Sequence, residues 1–137
     1  MDDIALMREI ARLQNQIDAL RTIEVGGVWT AWTPTLTKLS GYDSAVYSLI
    51  GNIAHIEFVA IGKNISAGAG AVQISMPVSP VSTIAYSIPV YTGTAFGIGF
   101  SQFSGSNLYI YKDVSANNWA GGETGISIIF HISYRVS

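Results

Sequence analysis

Near the start of the chain, Leu6, Ile10, Leu13, Ile17 and Leu20 recur at alternating spacings of four and three. Their mean spacing of about 3.5 residues is that of a coiled-coil seam, narrower than the ~3.6-residue face of a helix laid against its own domain. Ile10 and Ile17 take the a positions, and Leu6, Leu13 and Leu20 the d positions. Between them stand mostly Arg, Gln, Asp, Glu, Asn and Ala, which suit a solvated helical surface. Asp2 and Asp3 complement the positive end of the helix dipole, and Gly26 and Gly27 are expected to stop the helix. Residues 1–25 are therefore read as a coiled-coil oligomerisation helix, about 33 Å long at about 1.5 Å per residue. An isolated helix of that length is marginal in water. Burial of each seam residue, at ~1.5–3 kcal/mol, requires partner helices.

Everything from Gly26 onward has a different composition. All 14 glycines and all 4 prolines lie there, and residues 26–137 form the second expected unit, a head. Its charged residues are Lys38, Asp43, Glu57, Lys63, Lys112, Asp113, Glu123 and Arg135, which sum to zero. A domain so poor in charge, in a chain with 49% hydrophobic residues, is expected to cover part of its surface with copies of itself. With no basic patch, a nucleic-acid partner is not expected. Cysteine is absent, so disulfides and thiolate metal sites are excluded. No signal-peptide pattern and no apolar run of transmembrane length are found, so a soluble assembly without membrane insertion is expected.

The head reads as about eight short strands. Val28 to Thr37 is one, demoted by Pro34 to an edge or a bulge. Tyr42 to Ile50 follows, then Ile53 to Ile61, with Ala54, Ile56, Phe58 and Ala60 on one face. Gly62 to Gly70 is a loop pinned by Ile65. Ala71 to Met76, Thr83 to Tyr91, Ala95 to Phe103 and Leu108 to Lys112 continue the pattern, with Pro89 at an irregularity. After a loop at Asn117 to Gly122, Ile126 to Val136 carries alternate apolar residues from Ile126 to Val136 on one face. Short strands separated by turn signals predict a mainly β domain, an antiparallel β-sandwich of jelly-roll type.

The order of Trp29-Thr30-Ala31-Trp32-Thr33-Pro34-Thr35, then Tyr47 and Ile50-Gly51-Asn52-Ile53-Ala54-His55-Ile56-Glu57-Phe58, then Ile74-Ser75-Met76-Pro77, resembles the body domains of tailed-bacteriophage fibre, receptor-binding and minor virion proteins. The resemblance covers most of the chain but rests on short structural motifs. It implies a homotrimeric virion appendage with jelly-roll heads around a threefold axis, made in the host cytoplasm, and it carries over no catalytic residue. The stalk reads as short for that family, with no virion-anchoring domain recognised in the sequence before it. As a whole gene product the chain would suit a capsid head fibre or decoration protein. As a C-terminal fragment it would suit a receptor-binding tip. Ile at a with Leu at d favours parallel dimers. Met7 and Ile23 widen the stripe toward three helices, so a trimer is expected with a dimer as the alternative.

Little in the sequence points to chemistry. His55 and Glu57 share a strand face and His131 lies on the last strand, types that could bind zinc or transfer protons. No motif joins them, and they are read as buried or interfacial polar residues with hydrogen-bonded partners, with no catalytic residue, metal or cofactor expected. Gly97-Ile98-Gly99 and Gly68-Ala69-Gly70 lack the following helix that phosphate binding needs. Trp29 and Trp32 are assigned to the junction of stalk and head. Tyr109, Tyr111, Asn117, Asn118 and Trp119 are the candidate ligand contacts, because exposed aromatics beside amides suit carbohydrate or protein surfaces. The expected function is host-surface attachment by a non-enzymatic tail-fibre protein, with other virion proteins and a host glycan or protein as partners. The other classes weighed are a trimeric signalling or lectin head of tumour-necrosis-factor or collectin type, and a glycan-degrading enzyme. The enzyme reading is disfavoured by small size and the lack of a convincing carboxylate pair.

Overall fold

A computed structural model describes residues 3–24 and 28–136, with side chains given for 3–17 and 28–136. Among the described residues one helix, α1 (Asp3–Glu24), precedes nine strands. The expected stop at Gly26 and Gly27, the contribution of Asp2, and the side chains of Leu20 and Ile23 lie outside the described residues. Along α1, Leu6, Ile10, Leu13 and Ile17 are all about half exposed, and Met7 is more so. Glu9 and Arg12 pair one turn apart on the solvated surface. No helix among the described residues is long and apolar enough to cross a membrane.

The strands are β1 (Thr30–Ala31), β2 (Leu36–Thr37), β3 (Ser44–Ile50), β4 (Ile53–Lys63), β5 (Val72–Ser75), β6 (Ala85–Thr92), β7 (Phe96–Ser104), β8 (Asn107–Ile110) and β9 (Ile126–Arg135). They form one sheet in the order β1-β3-β4-β9-β6-β7-β8-β5-β2, with every pairing antiparallel. The mainly β, antiparallel expectation holds. In place of a jelly roll's two separate sheets, the hydrogen bonding runs continuously through all nine strands.

That sheet curls on itself. β6 pairs with β9 only through Val90, Tyr91 and Thr92. Pro89, which has no N–H to donate, stands where the ladder stops. Beyond it the strands part, and Phe103 of β7 reaches Tyr134 of β9 with ring centroids 4.9 Å apart. The Tyr134 hydroxyl donates to the Val78 carbonyl at 2.6 Å, and burial pushes it well above the ordinary tyrosine range. Alternation supplies the core. Ala54, Ile56, Phe58 and Ala60 of β4 pair with Tyr134, Ile132, Phe130 and Ile128 of β9, all buried. Phe58 and Phe130 stack at 5.3 Å.

The first body segment closes the curl. Val28 to Thr37 is not one strand. Pro34 divides it into β1, which pairs with β3, and β2, which pairs with β5, at opposite edges of the sheet. The residues between them carry the chain from one edge to the other, and Pro34 itself is buried.

Register also fixes the two ends of the body. Thr30 pairs with Tyr47, Ile53 with Arg135, and the Val136 N–H donates to the Asn52 carbonyl at 2.9 Å. The chain therefore enters the body at the same end as β9 leaves it. The opposite end is built from loops 64–71, 93–95 and 111–125, tied by paired backbone bonds between Gly70 and Trp119. The Lys112–Glu123 ion pair links the two ends of the last of these loops.

Candidate interaction surfaces

Three outward-facing features remain once the core is filled. The first is the half-exposed apolar row Leu6, Ile10, Leu13 and Ile17 of α1. The second is an apolar strip across the outer faces of β4, β9, β6 and β7. Ile61, Ile129, Phe96 and Ile98 are large hydrophobics left in solvent there, with Phe96 87% exposed. Cross-strand register puts Val59 beside Ile129, Pro89 beside Ile98 and Tyr91 beside Phe96. The Tyr91 and Phe96 rings lie 4.7 Å apart. A shallow groove between Pro89, Tyr91, Phe96, Ser127 and Ile129 runs through the strip.

The third is the outer face of β2, β5, β8 and β7. Thr37 pairs with Gln73, Gln73 with Tyr109, and Tyr109 with Gln102, so these four side chains form one row across four strands. One residue beyond the end of β8, Tyr111 lies 6.1 Å from Phe100 of β7. Among the described residues, neither glutamine amide nor the Tyr109 hydroxyl has a hydrogen-bond partner.

The candidate ligand contacts divide accordingly. Tyr109 and Tyr111 face outward and are half-buried, while Asn117 and Asn118 are exposed on the loop opposite the chain's point of entry. Asn117 is held by Asp113, whose carboxylate accepts from its side-chain amide at 2.8 Å. That bond, with the backbone N–H of Asn117, keeps Asp113 below the usual carboxylate range. Trp119 is corrected: it is fully buried, and its indole donates to the Ile110 carbonyl at 3.1 Å. A tryptophan among Asn, Ala and Gly reads locally as an exposed loop residue. Its burial depends on the long-range bridge to Gly70, which no local pattern carries.

Both junction tryptophans sit at the start of the body. Trp29 is 42% exposed and meets His131 edge-on at 6.1 Å. Trp32 packs against Tyr47, and its indole donates to the Ser75 carbonyl at 3.1 Å. Pairing of β4 with β9 also brings together what the sequence left apart. His55 and His131 lie 6.3 Å apart on the outer face, with Glu57 opposite His131 in register. The His55 Nδ1 hydrogen-bonds the Ser133 hydroxyl at 2.9 Å. No group of three or more His, Asp or Glu able to hold a metal occurs among the described residues. Gln73 and Gln102 were missed in sequence reasoning, because only strand order places them on either side of Tyr109.

Comparison with protein-family models, with curated proteins and with solved structures finds no match.

Proposed function

We propose that this chain is a non-enzymatic structural protein of a tailed-bacteriophage particle, a homotrimer serving host-surface attachment at a tail fibre. The observation that carries the assembly is the seam, whose Leu6, Ile10, Leu13 and Ile17 stay half exposed along the helix. Only another helix with the same repeat buries all of them at once. The apolar strip on β4, β9, β6 and β7 gives each head a second surface that gains by meeting a copy of itself. The eight body charges cancel, so copies meet without net repulsion between heads.

Attachment is supported by the layout of the ends. The chain enters at one end of the head, which leaves loops 93–95 and 111–125 at the other for contact with a cell surface. Three weak contacts held on one stalk bind far more tightly than one when geometry lets them engage together. The phage assignment itself rests on the sequence motifs from Trp29 to Pro77.

Two measurements test this reading. Sedimentation or light scattering of the full chain is expected to give three times the monomer mass of 14.6 kDa. A monomer would end it. Electron microscopy of virions with a labelled body is expected to place label on the tail, whereas label on the capsid shell would make the protein a head fibre or decoration protein.

A further inference from the structure

From the row Thr37–Gln73–Tyr109–Gln102 we infer a binding site for an uncharged oligosaccharide on the outer face of β2, β5, β8 and β7. The inference deepens the attachment reading and rests on it for where the sugar comes from. Strands in a sheet lie ~4.8 Å apart, so four adjacent side chains span roughly 14 Å, the length of a short oligosaccharide.

Each member of the row supplies what a neutral sugar needs. The Tyr109 ring is half-buried, so it is held in place before any ligand arrives and loses little freedom on binding. Its face suits the C–H face of a pyranose, while the flanking amides offer both donors and acceptors to the ring hydroxyls. Phe100 and Tyr111 extend the aromatic platform along the strands.

Charge decides the class of ligand. No outward-facing residue of β2, β5, β8 or β7 is acidic or basic. Lys38, next in the chain after Thr37, has its ammonium committed to the Ala67 carbonyl at 2.8 Å. An acidic glycan or a phosphate would therefore find no counter-charge in the row. A protein partner is matched less well, because protein interfaces centre on desolvated apolar anchors. The exposed aliphatic side chains of the sheet are Leu49, Ile61, Ile98 and Ile129; none lies on β2, β5 or β8, and Ile98 stands at the far end of β7 from Gln102.

The test is an array of neutral and acidic oligosaccharides probed with the assembled full chain. A second measurement follows binding of the same labelled protein to host cells. Retention on uncharged oligosaccharides is expected, weakened at least about tenfold by Tyr109→Ala and by the double change Gln73→Ala/Gln102→Ala, with melting and mass unchanged. Tyr109→Phe keeps the ring and is expected to lose only about threefold, which separates stacking from misfolding. Absence of any neutral ligand, binding only to acidic glycans, or binding indifferent to all three variants would overturn the inference. So would capture of a host surface protein through the same residues. Cell binding that persists in the row variants would overturn this site and leave attachment standing. Array binding without cell binding would support the site and remove the attachment reading.

Discussion

Trp32 and Ser75 join the two edges of the sheet. The Trp32 backbone N–H donates to the Ala45 carbonyl of β3 at 3.1 Å, while its indole donates to the Ser75 carbonyl of β5, also at 3.1 Å. Three residues on, Thr35 and Ser75 exchange two further bonds. β3 and β5 are each one strand in from an edge of the nine-stranded order, so this short segment does the work of a closing ladder.

Trp32→Phe is therefore expected to lower unfolding stability by about 1 kcal/mol, the worth of the indole bond. Trp32→Ala, which also removes packing against Tyr47, is expected to cost about 2–3 kcal/mol. Denaturant titration of the assembled protein at fixed concentration checks both.

The three tryptophans differ enough to be read separately in solution. With Trp29 and Trp32 changed to Phe, the remaining Trp119 emission is expected to be blue-shifted and shielded from acrylamide, because that ring is fully buried. Strong quenching would show an open loop 111–125.

Much of this fold was legible from period alone. The helical state of α1, the buried face of β4 and the alternation of β9 follow from spacings of 3.5 and two residues, which report on local geometry. Strand order follows from pairing between distant segments, and period carries none of it. That is why Trp119 read as exposed, why Val28 to Thr37 read as one strand, and why Gln73 and Gln102 went unnoticed beside Tyr109. The outward tyrosines were visible as a pair, but their polar flanks were not.

Gly97 and Gly99 look alike in sequence and differ in the fold. A Cβ at Gly99 would stand 2.4 Å from the Tyr111 carbonyl oxygen, whereas one at Gly97 meets nothing within 4 Å. Gly99→Ala is expected to destabilise by about 2 kcal/mol or more, and Gly97→Ala by less than about 0.5 kcal/mol. Thermal unfolding of the pair checks this.

Ser101 is buried, and its hydroxyl has no hydrogen-bond partner among the described residues. Ser101→Ala removes that polar atom from the core and is expected to raise stability by about 1 kcal/mol. A loss of stability would show that the hydroxyl is satisfied in solution.

Alkaline pH should weaken the fold through Tyr134. Burial raises its folded-state pKa above that of the unfolded chain, so the native state keeps the proton longer. The stability this contributes is complete below about pH 10 and is lost as pH rises from there toward the folded pKa. Tyr134→Phe is expected to flatten the fall in unfolding midpoint above pH 10, although it also forfeits the bond to Val78. Tyr86, raised by burial as well, retains a smaller slope.

The edge-to-edge crossing at Pro34 has a mechanical consequence. A pull on α1 is delivered to β1, which has only two residues, and such a strand peels from β3 one bond at a time. Peeling then meets Trp32, whose ring is packed and whose indole is tied to a strand from the far edge. From that residue onward, tension from α1 spreads to both margins of the curled sheet, through Ala45 and through Ser75. The body hangs from a clasp, and tension applied through α1 would load that clasp before any long β ladder.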